Sequence, residues 1–321
     1  MLRFLLFCFP FLFIWGVDYD CIFIGTSPIS LFEALHQHYS GRSVLILDDA
    51  KEIGGAWKTI DICDVPHADV GCHHIGNDHK LQEFFERYVG CKLVQMDRPE
   101  EPFDASKPGG NGFYFSQGCF ELMEALKAML AQTTIHLELG KRVDAVAIDT
   151  ANQCVVLTLG DTEIRSNKIF VPYYTSFAFR GESARSMKTN FYHLYLLIAD
   201  PSPPAFSYQG YGGPLASRMM NLTHFAGLEN SGRQLIIFQT QTEKGLRAAE
   251  EFLKDLKAKK LLSPSAYVLK EEPYIYEQWG HQHWQLSESQ KEMIEVLDTS
   301  HLTSISKRLA QWKQTLPQRK A

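Results

Sequence analysis

The chain has 321 residues, 45% of them hydrophobic and 12% aromatic, with a formal net charge of -5. That suffices for one large or two modest domains with cores, and it excludes a disordered chain and a strongly basic nucleic-acid binder. Seven cysteines, at positions 8, 21, 63, 72, 91, 119 and 154, form no CxxC pair, so neither a disulfide framework nor a thiolate zinc site is indicated.

The first segment, "MLRFLLFCFPFLFIWGV", carries one basic residue, Arg3, followed by an apolar run from Phe4 to Val17. It is short for a membrane span and suits the apolar region of a signal peptide. Residues 1–17 are therefore expected to be a signal peptide or short membrane anchor, with the protein secreted, periplasmic or membrane-associated. The alternative is a buried extra strand or a misplaced start codon, with the protein cytoplasmic.

From Asp20 to Ile24 the residues are apolar and β-forming, which predicts a buried parallel strand. "GTSPIS" follows, then a helix with Leu31, Phe32, Ala34 and Leu35 on its apolar face, ending near Gly41, and a second strand from Ser43 to Asp49. Strand, Gly turn, helix and strand within about 30 residues is the βαβ unit of a nucleotide-binding sheet. Glu121 to Leu130 predicts a helix, "IHLEL" and "VDAVAI" short strands, and "CVVLTL" with "EIRSNKIFVPYY" a hairpin turning at Gly160 and Asp161. Beyond Phe191, "FYHLYLLIAD" and "RQLIIFQTQ" read as strands and residues 242–262 as an amphipathic helix. The expected fold class is α/β: a Rossmann-like dinucleotide-binding domain over 18–180, with an insertion around 76–114, and a second α+β domain over 181–321. That second domain is built on a mostly antiparallel sheet and includes the C-terminal helix.

In the dinucleotide fingerprint the first glycine permits the tight turn, the second lets the backbone approach the pyrophosphate and the third allows close helix–strand packing. Here Gly25, Ser27 and Ser30 hold those places. Serine is small and adds a hydroxyl that can donate to phosphate, while Pro28 removes one amide from the helix start. Asp48 ends the second strand, where an acidic residue can accept hydrogen bonds from ribose hydroxyls.

"LDDAKEIGGAW", with Gly54 and Gly55 six and seven residues after Asp48, resembles the second flavin-binding signature of the superfamily of amine oxidases, protoporphyrinogen oxidases and UDP-galactopyranose mutases. "VPHADVGCHHIG" resembles the segment of that group that lies against the isoalloxazine ring, with Gly71 and His73 in matching positions. "GFYFSQGCFELMEALKAML" resembles its Gly-bearing turn and helix, and "GKRVDAVAID" the strand whose valine, here Val143, meets the adenine. The resemblance runs over most of Asp20 to Tyr174. It implies FAD as cofactor, with Gly25, Ser27 and Ser30 at the pyrophosphate, Asp48 at the ribose, Gly54, Gly55, Trp57 and Gly71 near the flavin, and His73 as the catalytic candidate. The chain departs from the pattern at Ser27 and Ser30. It also has no glycine after Gly280, so the Gly-rich turn that completes the flavin site is not found.

Other segments keep two readings. His73 is either a group at the flavin or a packed loop histidine; with His67, His74 and His79 it matches no zinc spacing, and no metal is expected. "PYIYEQWGHQHW" and "FSYQGYGG" suit either the walls of a small-molecule pocket or core packing. Asn221 opens a chance glycosylation sequon, and the basic C-terminus reads as a solvated helix end. The expected function is an FAD-dependent oxidoreductase acting on a small molecule. The alternative is a non-catalytic nucleotide-binding or escort-type module on the same fold.

Overall fold

The computed structural model describes residues 16–73, 75, 78–96, 112–172, 178–179, 188–201, 208–210, 218–240, 248–279, 286–298 and 303–318. Most of the apolar leader, His74 and the "GHQHW" segment lie outside these residues.

The first apolar run forms β1 (Tyr19–Ile24), leading through the Gly25 turn to α1 (Pro28–Tyr39) and β2 (Val44–Asp48), which lies parallel to β1. Alternation sends Cys21, Phe23, Val44 and Ile46 to the α1 side and Ile22, Leu45 and Leu47 to the other. Both faces are buried, which is why these strands read as continuous apolar runs.

A hairpin of β3 (Thr59–Ile62) and β4 (Val65–Asp69) follows, then α2 (His79–Phe84), the pair β5 (Leu93–Met96) and β6 (Gly112–Phe115), and α3 (Gly118–Leu130). The next strand, β7 (His136–Leu139), returns parallel to β2. A meander of β8 (Ala145–Asp149) and β9 (Cys154–Leu159) feeds the long β10 (Thr162–Pro172), which turns at Gly160 and runs parallel to β1. Phe23 of β1 stacks on Phe170 of β10 with ring centroids 4.3 Å apart.

Beyond β11 (Ala178–Phe179), which pairs with β8, the chain builds an antiparallel sheet. Its strands are β12 (Lys188–Ala199), β13 (Tyr208–Gly210), β14 (Arg218–Asn221), β15 (Arg233–Thr240) and β16 (Tyr267–Trp279), in the order β13-β14-β15-β12-β16. Its outer face, with Leu194, Leu196, Ile236 and Phe238, is covered by Phe252 and Leu256 of α4 (Ala249–Ala258). Its inner face, with Tyr195, Leu197, Leu235 and Ile237, joins the main core. The helix expected over 242–262 is shorter among the described residues: the backbone turns left-handed at Lys260, and the Leu261 amide returns to the Leu256 carbonyl at 2.9 Å, closing the end.

The chain then returns to the first sheet. After α5 (Glu288–Met293), β17 (Ile294–Leu297) pairs parallel with β10, and α6 (Thr303–Ser306) and α7 (Leu309–Thr315) follow. The sequence assigns this segment to the second domain; strand pairing attaches it to the dinucleotide sheet. Trp312 packs on Phe32 and Phe84 and donates from Nε1 to Glu33 at 3.0 Å, while Arg308 Nη1 reaches the same carboxylate at 2.7 Å. Glu33 is buried in α1, a position a charge tolerates only with such partners. Among the described residues no helix is long and apolar enough to cross a membrane.

Candidate functional site

The site is built at the carboxyl ends of β1 and β2. Gly25, at φ +91°, makes the turn, and its amide donates to the Leu47 carbonyl at 2.7 Å. A Cβ there would lie 3.5 Å from Pro172, an ordinary contact, so the backbone angle and not crowding calls for glycine. Ser27 caps α1: its Oγ accepts from the Ser30 amide at 3.2 Å and lies 2.9 Å from Ser30 Oγ. With Pro28 lacking an N–H, two amides of the first turn are withdrawn from any anion, and the serine hydroxyls stand in their place.

Asp48 is buried, and the protein's own groups fill much of its capacity. Oδ2 accepts from the Thr26 amide at 2.8 Å and Thr26 Oγ1 at 2.5 Å, and Oδ1 accepts from the Ala50 amide at 2.9 Å. Burial pushes its carboxyl up, against the pull of the Thr26 hydrogen bond. Thr26 in turn accepts from the Gly54 amide, at 3.0 Å on its carbonyl and 3.1 Å on Oγ1. Thr26 thus ties the fingerprint turn, the end of β2 and the Gly-Gly turn into one unit. The sequence reading passes over it because a threonine beside a glycine has no spacing signature.

Gly54 and Gly55 both have positive φ, 114° and 57°. A Cβ on Gly54 would meet Met123 Sδ at 2.6 Å, whereas one on Gly55 would meet nothing within 4 Å. The first glycine permits packing under α3; the second borders open space. Trp57, buried, stacks on His73 with ring centroids 4.2 Å apart. His73 Nε2 donates to the carbonyls of Ala56 and Val70 at 2.9 and 2.8 Å, which pins the Gly-Gly turn to the end of β4. Gly71, at φ +103°, leaves room for that ring: a Cβ would lie 3.3 Å from His73 Nε2 and 3.7 Å from His193 Cε1.

Val143 is buried on the far face of the sheet with Ile22 and Leu47. Its segment is tied to the same strand end, because the Lys141 amide donates to the Asp48 carbonyl at 2.8 Å. The expected residues thus form two groups. Gly25, Ser27, Ser30, Asp48 and Gly54 share the strand ends; Trp57, Gly71 and His73 stand nearer the second sheet.

That second sheet supplies residues the sequence reading does not name one by one. Tyr195 donates to the Asp69 carbonyl at 2.7 Å. The Asp69 carboxylate accepts from Tyr114 at 2.6 Å and the Cys119 amide at 2.8 Å, and burial pushes it up to about 6. His193, on the same face of β12 as Tyr195, is 1% exposed, and burial, then the proximity of His73, push it down to about 3. Tyr274 stacks beside it with centroids 6.2 Å apart, and burial pushes Tyr276 up to about 12. Tyr274 and Tyr276 belong to "PYIYEQWGHQHW", the segment read as either pocket wall or core, whereas for His193 and Tyr195 only the alternation of side chains in "FYHLYLL" hints at this face.

These residues fit a dinucleotide in altered form. The Gly25 turn and the open side of Gly55 leave room for backbone approach. One hydroxyl hydrogen of the Ser27–Ser30 pair stays free to donate, and Asp48 keeps part of its acceptor capacity. The described cysteines do not supply a nucleophile: all are buried, and burial pushes Cys63 up to about 11 and Cys72 to about 12. Among the described residues no group of three or more His, Cys, Asp or Glu side chains could hold a metal ion.

No protein-family model and no curated protein matches the sequence. Solved structures do match. A putrescine oxidase variant from a redesign of cofactor binding superposes with a TM-score of 0.63 at 10% identity, covering 93% of this chain and 99% of that one. A protein assigned as a protoporphyrinogen oxidase from Exiguobacterium sp. 255-15 gives 0.59 at 9% identity, covering 94% and 98%. The RAB GDI of Plasmodium falciparum gives 0.58 at 11% identity, covering 95% and 100%. At these identities the likeness is one of fold: the chain shares the Rossmann-like α/β fold of these solved structures.

Proposed function

We propose that the protein is an FAD-dependent oxidoreductase acting on a small molecule held between its two sheets. The observation that carries this reading is the Thr26 network, which joins the Gly25 turn, Asp48 and the Gly54–Gly55 turn at the carboxyl ends of parallel strands, where such folds bind ligands. Gly25, Ser27, Ser30 and Asp48 would hold the adenosine and pyrophosphate end. Gly54, Gly55 and Trp57 would hold the flavin end. Bound FAD supplies the electron or hydride acceptor for the chemistry.

The chain's own residues then orient and exclude. Ser27 turns its hydroxyl outward to donate while Ser30 completes the cap. His73, held by two carbonyls and by Trp57, keeps the Gly-Gly turn in place; with Nε2 already donating, we assign it a positioning role. The inner face of the second sheet, with Tyr195, His193 and Tyr274, walls the cleft from water. The test is reconstitution of purified protein with excess FAD, followed by gel filtration and a visible spectrum: retained flavin that dithionite bleaches and air restores supports the reading, and a flavin-free peak overturns it.

A specific observation also favours a second reading, a nucleotide-binding or escort-type module without redox chemistry. Ser27 and Asp48 already satisfy groups that a cofactor would otherwise occupy. Binding of a nucleotide without flavin uptake would favour that reading.

A further inference from the structure

Among the described residues two buried side-chain polar atoms have no partner, Asn190 Oδ1 and His193 Nδ1, and the second lies on the inner face of the second sheet. His193 is 1% exposed, its Nε2 lies 2.9 Å from Gln239 Nε2, and its Nδ1 meets no hydrogen-bond partner. An amide nitrogen only donates, so Gln239 donates to Nε2, and the proton of the neutral ring sits on Nδ1. The ring carbon bonded to Nδ1, Cε1, lies 3.7 Å from where a Gly71 Cβ would stand, and the same point is 3.3 Å from His73 Nε2. His193 therefore stands at the junction of the second sheet with the end of β4, beside the His73–Trp57 stack. Tyr274 flanks its ring on the neighbouring strand. Burial holds the imidazole neutral, down to about 3, so it keeps the character of an uncharged donor.

A buried N–H without an acceptor is costly, and one at a domain junction is satisfied most simply by a ligand atom. We propose that His193 Nδ1–H is a substrate-orienting donor that takes a carbonyl or carboxylate oxygen of the substrate and disfavours an ammonium group at that point. This deepens the oxidoreductase reading and rests on its placement of the substrate between the sheets. The donor selects among substrates: an oxygen acceptor completes the hydrogen bond, whereas an ammonium, itself only a donor, would leave two N–H groups opposed in a dry site.

The test uses the full chain labelled with 15N-histidine, free and after incubation with FAD, titrated with propionamide, propionate and propylammonium. The ring nitrogen shifts should first show His193 protonated at Nδ1. Propionamide or propionate should then move the Nδ1 proton downfield, and propylammonium should not. His193→Phe, which keeps a ring but no donor, should weaken binding of the oxygen probe roughly five- to tenfold. A proton on Nε2, or no response of wild-type Nδ1 to either oxygen probe, overturns the proposal without recourse to a variant. Flavin uptake is read separately by absorbance on the same samples. Uptake without an Nδ1 response removes His193 and leaves the oxidoreductase reading; an Nδ1 response without uptake does the reverse.

Discussion

Ser27 bears most directly on how the altered fingerprint works. Its hydroxyl holds the Ser30 amide at 3.2 Å, the donor an all-glycine turn would offer to a pyrophosphate oxygen. Replacing Ser27 with Gly removes a side-chain cap at a cost of only a few tenths of a kcal/mol, because glycine leaves the helix terminus open to water. It frees the Ser30 amide for a charge-assisted bond to phosphate worth about 1.5–3 kcal/mol. The same change removes the Ser27 hydroxyl donor, worth about 0.5–1.5 kcal/mol, so Ser27→Gly should bind FAD at least as tightly as wild type and up to about fiftyfold more tightly, since each 1.4 kcal/mol is about tenfold. Ser27→Ala frees the same amide but keeps a Cβ near the phosphate path, so its gain should be smaller. Quenching of flavin fluorescence on titration gives both affinities, and thermal melts check that the fold is kept. An affinity for Ser27→Gly below that of wild type would refute the reasoning, because it would mean that the freed amide does not replace the lost hydroxyl at the anion.

Other outcomes follow from the same contacts. Asp48→Ala should lower stability by about 2–4 kcal/mol in urea denaturation, because the Thr26 amide, Thr26 hydroxyl and Ala50 amide lose their acceptor; a change confined to flavin affinity would show that the carboxylate serves the ligand alone. Arg308→Ala should cost about 3–5 kcal/mol by leaving Glu33 without its charged partner, although Trp312 and Gln37 still donate to it. Asp69, raised from 3.8 to about 6, binds more protons folded than unfolded, so its contribution is fully present below pH 3.8 and is lost as pH rises through about 6. The loss is about 3 kcal/mol at about 1.4 kcal/mol per pH unit. Asp69→Asn should flatten that slope in denaturation midpoints measured across this window, and an unchanged slope would exclude Asp69 as its source.

The opening βαβ unit was legible in the sequence because its strands are buried on both faces and its turn needs glycine at one position. The Gly54–Gly55 turn was legible through the resemblance of "LDDAKEIGGAW" to a known flavin-binding signature. The C-terminal return was not: β17 is four residues long, and α7 is held to α1 by Trp312 and Arg308 on buried Glu33, a pairing across more than 270 positions that no local pattern encodes. Asp48 was located correctly at the strand end, yet its partners were not, because the Thr26 and Ala50 bonds arise from turn geometry. His193 escaped for a related reason. Alternation gives a strand residue its face, and only the packing of the second sheet against β4 brings that face beside Gly71 and His73.

The central claim is that this strand-end site holds a redox-active flavin. Equilibrium dialysis of the purified full-length chain against FAD, with the bound fraction reduced under anaerobic conditions and reoxidised, tests it most directly. The account predicts saturable uptake of one FAD per chain, reversible bleaching of the bound flavin, and loss of uptake on Ser27→Leu, whose bulk would fill the phosphate position while the fold is kept and the lost α1 cap lowers the melting temperature by only a few degrees. Absence of saturable uptake by wild type, or uptake that Ser27→Leu leaves unchanged, would contradict it.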